Sequence, residues 1–421
     1  MPLELSRLDE AMLAGRDGPA AAMALRIVAD TARMLGADRL IDIASAHIDG
    51  CLYHGNSGTL FAERLRADGG RVRVPTTLNV GALDLVHPGR ERLSADQAQM
   101  ARRLMAAYAG LGCRESWTCA PYQAGHRPAL GQDVAWGESN AVVFCNSVLG
   151  ARTNRYGDFL DICAAITGRA PRAGLHLSQN RRAEILIDAS GLKPTLVAED
   201  AFYPVLGAWL GATVGDRIAA IDGLPRGLAE DRLKALGAAA ASTGAVGLFH
   251  VVGTTPEAPD RATAFGDVPP HETIRLTPAM LEAARRRLST GTLPADGRID
   301  AVAIGSPHLS EAEVDALLAG LAGRRVAIPF YACTGRHVLE RIEGDGRRAA
   351  LDAAGVTVIA DTCIVVTPIL TSSSGLLVTN SGKFAHYTPS TTGWDVLYGS
   401  LADCIESAVT GRLALDEAIW R

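Results

Sequence analysis

The chain has 421 residues, 48% hydrophobic and 21% charged, enough apolar material for two or three lobes with cores of their own. A net charge of −5 leaves no basic stripe for nucleic acid, and an aromatic content of 5% leaves little for stacking single strands. The acidic, helix-like first eighteen residues have no basic stretch leading into an apolar run, so no signal peptide is expected and the chain reads as cytosolic.

Helical apolar spacing over 20–35 predicts the first long helix, and a β-like run at 40–44 ends at Ser45-Ala46-His47. A helix at 58–66 is followed by a strand at 71–74 ending at Pro75-Thr76-Thr77. Ser94-Ala95-Asp96-Gln97 is a capping box that opens a helix toward Gly110. This alternation predicts a parallel sheet with covered faces. From Cys113 to Arg182 polar residues and glycine exceed what a core needs. A middle lobe, 183–295, carries strand-like runs at 184–187, 217–221 and 246–252 between Gly-rich turns. The uncharged stretches 236–256 and 362–382 are too weakly hydrophobic to span a membrane and read as buried strand-and-loop segments.

The last third, 296–421, has the clearest pattern. A strand at 301–305 precedes the capping box Ser310-Glu311-Ala312-Glu313 and a helix to Leu321; a strand at 325–330, a helical stretch at 336–354 and a strand at 356–360 follow. The crossovers of such a βαβαβ unit are right-handed, and ligands of open α/β sheets sit beyond the carboxyl ends of the strands. Ser306, Cys333 and Cys363 are therefore expected along one sheet edge. The fold class is α/β with parallel sheets, in lobes 1–182, 183–295 and 296–421.

The eight cysteines, at 51, 113, 119, 145, 163, 333, 363 and 404, form no CxxC pair, which removes zinc-ribbon and thioredoxin readings. A cysteine in an Ala-rich core is ordinarily a small buried apolar residue. Polar motifs recur just after predicted strands: Pro75-Thr76-Thr77-Leu78-Asn79, Thr118-Cys119-Ala120-Pro121-Tyr122, Trp136-Gly137-Glu138-Ser139-Asn140, Gly305-Ser306-Pro307-His308 and Ala360-Asp361-Thr362-Cys363. Two longer stretches join them, from Asn146-Ser147 to Arg155 and from Thr379 through Ser381, Lys383 and His386 to Tyr387.

In order and spacing these motifs resemble the aconitase X family of hydro-lyases over nearly the whole chain. The resemblance implies an aconitase-like multi-lobed α/β fold and an iron–sulfur cluster held by thiolates, which are soft donors to iron. Cys119 and Cys363 match the family's ligands. Where the family pattern reads Gly-Cys-Pro-His this chain has Ser306, a harder donor, so Cys145 is the expected third ligand, with Ser306 as alternative and Cys333 a weaker candidate. The swap leaves 2Fe–2S and 4Fe–4S both open.

Expulsion of hydroxide next to a carboxylate needs a polarising metal and cationic clamps. Arg152 and Arg155 suit the clamp, having fork-shaped guanidinium donors. Asn79, Asn146, Ser147 and Ser381 are candidate substrate contacts; Lys383, His386, Glu138 and His47 are candidate catalytic groups. The superfamily's proton-abstracting serine sits on a swivelling domain, for which the thirty or so residues after the last motif are too few. A separate small subunit carrying that serine is expected. The implied substrate is cis-3-hydroxy-L-proline, yielding 1-pyrroline-2-carboxylate, with mevalonate 5-phosphate as the alternative. A non-catalytic iron–sulfur subunit is the competing reading of another class. It accounts less well for so many polar groups.

Overall fold

A computed structural model describes residues 2–420. The chain forms two compact units: one runs up to Leu83 and resumes over Leu93–Arg182, and the other combines Asp84–Arg92 with everything from Ala183 onward.

In the N-terminal unit, α1 (Arg7–Leu13) and α2 (Pro19–Met34) precede β1 (Leu40–Asp42) and β2 (Ala46–Ile48). Then come α3 (Asn56–Ala67), β3 (Thr76–Leu78), α4 (Ala95–Gly110), β4 (Ala135–Trp136), α5 (Ser139–Phe144), α6 (Leu160–Thr167) and β5 (Arg169–Pro171). The parallel sheet β3-β2-β4 is the core scaffold, while β1 and β5 pair antiparallel. The Ser94 box forms as expected: its side chain accepts from the Gln97 amide at the start of α4. The α2 face Ala21, Ala24, Leu25, Val28, Ala32 is buried, and its small side chains let α6 pack close. The strand expected at 71–74 is absent. Val72 and Arg73 donate to Leu111 O and Ala165 O instead, and the ladder starts only past Pro75, which has no N–H to give.

The C-terminal unit holds two parallel sheets. The first, ordered β8-β7-β6-β9, consists of β6 (Ile185–Asp188), β7 (Ala219–Asp222), β8 (Phe249–Val251) and β9 (Glu272–Arg275). Its helices are α7 (Pro194–Val197), α8 (Phe202–Val214), α9 (Glu230–Thr243), α10 (Arg261–Phe265) and α11 (Pro278–Arg287). The segment expected as strand and loop from 236 begins inside α9, whose alanine run favours helix.

The second sheet is built from β10 (Ala301–Leu309), α12 (Glu311–Leu321), β11 (Phe330–Thr334), α13 (Arg336–Gly344), α14 (Arg347–Ala354) and β12 (Val356–Ile359). It continues with β13 (Leu376–Thr379), α15 (Gly382–Thr392), β14 (Asp395–Tyr398) and α16 (Leu401–Thr410). The strand order β12-β11-β10-β13-β14 starts in the middle, winds outward and then returns to the other side, so the winding reverses between β10 and β13. Alternate residues of β10 feed two cores, Val302 and Ile304 on one face and Ala301 and Ala303 on the other. The strand expected at 325–330 begins only at Phe330, after Pro329. The long helix expected over 336–354 breaks in two around Gly346, which adopts φ 87°.

Residues 84–92 are stitched to this sheet's edge. Asp84 accepts from the Ala360 amide at 3.2 Å, Arg90 donates to Val358 O at 2.5 Å and the Arg92 amide to Pro368 O at 2.8 Å. No helix among the described residues is long and apolar enough to cross a membrane.

Candidate active site

In the N-terminal unit the polar motifs gather at the β3-β2-β4 sheet. His47, Thr77 and Trp136 share one cross-strand rung. His47 Nδ1 lies 2.8 Å from Thr77 Oγ1, which lies 2.6 Å from His126 Nδ1, and both imidazoles tilt against the Trp136 ring. His47 is fully buried, and desolvation followed by the nearby His126 drives its pKa well down; burial and Arg114 bring His126 down to about 4. Both rings are therefore neutral at pH 7. Just past β3, Asn79 donates to Asp49 at 2.5 Å and keeps a buried, unpartnered Oδ1.

After β4, Glu138 caps α5 by accepting from the Ala141 amide at 2.7 Å, and Asn140 donates to Cys119 O at 3.0 Å. Cys119 is thus tied by its backbone to the start of α5. Cys145 begins a π-helical turn that ends at Gly150, and its neighbours Phe144, Val142 and Trp136 make an apolar pack. Burial pushes its thiol well above the ordinary range. Asn146 next to it ties the chain together, accepting from the Thr153 amide at 3.0 Å and from Arg181 at 3.1 Å while donating to Thr153 O at 2.9 Å. Ser147 is buried in the same turn. Arg152 is half-buried with an unpartnered Nε and a 3.4 Å contact to His176 O, whereas Arg155 is exposed.

In the C-terminal unit the expected edge exists. Gly305 has φ 92°, and a Cβ there would overlap the Cys333 carbonyl, so only glycine lets β10 run this close to β11. The β10–β11 register shifts between Ile304 and Leu309, turning Ser306 and the cis Ser306–Pro307 bond out of the ladder. Cys363 follows β12. A hydrogen bond from Cys333 is the strongest influence on its thiol; burial opposes it, and the Val365 amide, the Lys383 charge and the Ser306 hydroxyl add to it. The result is a pKa drawn down to about 7. Ser381 caps α15 through the Phe384 amide at 3.0 Å and donates to Ser306 O, linking the two sides of the β10/β13 reversal. Lys383 lies in the first turn of α15 and His386 is exposed one turn on.

A cavity of about 270 Å³ opens at this reversal, lined by Gly305, Ser306, Ser381, Lys383, Lys234 and Glu313. Lys234 is buried and ion-paired to Glu313 and, at 2.9 Å, to Asp231. Burial alone would lower its pKa, but the two carboxylates outweigh it and hold the ammonium charged. Sequence reasoning missed Lys234, Arg181 and His126. The first sits in an alanine-rich helix, Arg181 ends a short 3₁₀ turn and His126 lies in an aperiodic loop.

The structure brings Ser306, Cys333, Cys363, Ser381 and Lys383 together in the C-terminal unit; Cys119 and Cys145 belong to the N-terminal unit. No disulfide joins the eight buried cysteines. Among the described residues no three His, Cys, Asp or Glu side chains already converge as a metal site.

Three family models cover the chain: the first domain of aconitase X at residues 2–179, the second at 183–286 and the third at 299–410. A cis-3-hydroxy-L-proline dehydratase of Pseudomonas aeruginosa is 44% identical over 99% of this chain and 72% of its own length. One from Hypocrea jecorina is 40% identical over 98% and 69%. A phosphomevalonate dehydratase large subunit of Methanothermobacter thermautotrophicus is 36% identical over 94% and 96%. The crystal structure of holo aconitase X from Thermococcus kodakaraensis superposes with a TM-score of 0.86 at 33% identity, over 96% of this chain and all of the other.

Fold and site together define an enzyme of the aconitase-like hydro-lyase class, a dehydratase. Within that class, the chain belongs to the aconitase X family.

Membership implies an iron–sulfur cluster. The donors at the C-terminal edge fit one: two adjacent sulfurs, one already close to the thiolate, beside a hydroxyl and a balancing ammonium. The archaeal relative is named as a large subunit.

Proposed function

We propose that this chain is the large subunit of a dehydratase that converts cis-3-hydroxy-L-proline to an enamine, which tautomerises to 1-pyrroline-2-carboxylate. The observation that carries this reading is the Cys363 thiol, drawn toward neutral pKa among Cys333, Ser306 and Lys383 beside a cavity at the sheet's winding reversal. The choice of substrate is supported by identities of 44% and 40% to two proline dehydratases, against 36% to the archaeal large subunit. Three lobes, 1–182, 183–295 and 296–421, share the work in the cytosol.

In this reading Cys119, Cys145 and Cys363 hold the cluster. Ser306 is the alternative third ligand, favoured by its place against Cys363, whereas Cys145 is sealed in an apolar pack. Both 2Fe–2S and 4Fe–4S clusters take four donors, so the iron and sulfide counts decide between them. When bound, the cluster supplies Lewis-acid polarisation of the departing hydroxyl. Lys383 balances the thiolate charge next to it, and Arg152 offers its unpartnered Nε to the substrate carboxylate, with exposed Arg155 assisting. Neutral His47 supplies a proton at Nε2. Asn79 presents its open Oδ1, while Asn146, Ser147, Glu138 and Ser381 hold the turns that carry the site, and His386 borders it. The proton from carbon goes to a serine on a small swivelling subunit.

The test is a coupled dehydration assay on cis-3-hydroxy-L-proline and mevalonate 5-phosphate, with a co-expressed small subunit, alongside iron and sulfide counts and paramagnetic resonance. Turnover of the proline alone is expected. Turnover of the phosphate ester alone overturns the substrate, and full activity without the small subunit overturns the partner.

A further inference from the structure

The N-terminal unit contains a hydrogen-bonded chain that the reaction as described uses at one end only. His47 Nδ1, Thr77 Oγ1 and His126 Nδ1 are linked at 2.8 and 2.6 Å, and the Nε2 atoms of both rings are buried and without a partner. Two buried orphans at the ends of one chain are costly unless a ligand or water completes them. Thr77 is itself buried, and among the described residues the two imidazoles are its only side-chain partners.

A hydroxyl has one hydrogen. If it is not to be wasted in the interior, Thr77 donates to one Nδ1 and accepts from the other. With both rings neutral, the first ring then carries its hydrogen on Nε2 and the second carries it on Nδ1. One end of the chain is a proton donor and the other a proton acceptor, and exchanging the roles requires every link to shift together.

We propose that Thr77 and His126 are positioning residues that make His47 part of a neutral proton relay for the dehydration. This rests on the proposed catalytic role of His47. As the C–O bond breaks, the His47 Nε2 proton goes to the leaving oxygen, which departs as water. The Thr77 hydroxyl proton moves to His47 Nδ1, the His126 Nδ1 proton moves to Thr77 Oγ1, and His126 Nε2 takes a proton from water. When the serine base surrenders the proton taken from carbon, His47 Nε2 accepts it. The same shifts in reverse then expel one proton to water at His126. Each cycle removes one water from the substrate, leaves no net proton and restores the starting tautomers.

The first test needs no substrate, so it separates this relay from the substrate assignment. In the chain labelled with ¹⁵N-histidine at pH 7, the imidazole shifts of His47 and His126 are expected to report opposite neutral tautomers, and Thr77→Val is expected to abolish that pairing. Identical tautomers, or a charged ring, overturn the relay. In the assembled enzyme, Thr77→Val is expected to lower kcat roughly 100-fold, the scale of general-acid catalysis, with little change in KM. Thr77→Ser, which keeps the hydroxyl, is expected to restore kcat to within about threefold, as the relay requires, with an unchanged paramagnetic signal. A Thr77→Val enzyme with wild-type kcat, or failure of Thr77→Ser to rescue a folded enzyme, rejects it.

Discussion

On the central strand of the N-terminal unit's sheet and in the loop beside it burial holds His47 and His126 neutral, whereas at the strand ends of the C-terminal unit hydrogen bonds and a lysine draw Cys363 toward its charged form. Both places are buried, so desolvation penalises charge in each. What separates them is compensation. Thr77 offers the two rings a single neutral hydroxyl, too little to offset the burial of a charged ring, while Cys363 has a thiol, an amide, a hydroxyl and an ammonium aimed at one sulfur. One place is suited to passing protons and the other to holding a cation-rich group.

The contrast is broken most severely by Cys363→Ser. It is expected to lower iron retained on purification to under half and activity at least 100-fold, read by iron assay and turnover. Arg336→Ala comes next. Arg336 grips the buried Asp361 at 2.5 and 2.7 Å, two residues before Cys363, and losing it strands a carboxylate at a cost of about 3–5 kcal/mol, measurable by urea unfolding. Cys145→Ala sharpens the comparison within one residue type. Iron loss makes Cys145 a ligand; retained iron with a penalty of about 1 kcal/mol makes it core and leaves Ser306 as the third donor.

The smallest effect is a titration. In cluster-free protein, alkylation of Cys363 is expected to be half-maximal near pH 7, while Cys145 stays protected, as mass spectrometry would read. The ordinary thiol value is 9.0, so the folded value lies below the unfolded one. The associated stability is therefore full above pH about 9 and is lost as pH falls through about 7.

Local chemistry made part of this legible from sequence. The capping boxes at Ser94 and Ser310 set their helices, and the placement of Ser306, Cys333 and Cys363 followed from strands that all end on one side. His126 was invisible because its contact to Thr77 depends on a loop folding back across 49 residues. Lys234 was hidden because it ends the ordinary-looking charged run Glu230-Asp231-Arg232-Leu233-Lys234, and its meaning depends on Glu313, 79 residues away. Strand starts were misplaced where a proline removed the N–H that the ladder needs, at Pro75 and Pro329. Register and long-range pairing decide such points, and neither leaves a local period.

The winding reversal between β10 and β13 places side by side two walls, at Ser306 and Ser381, that are 75 residues apart in the chain. Ser306 sits at the irregularity within β10 and Ser381 just past the end of β13, both outside the regular ladder, so either can be rewritten by local mutation while the sheet keeps its hydrogen bonds. Substrate preference can therefore drift one wall at a time, with the opposite wall holding the reacting geometry in the interval.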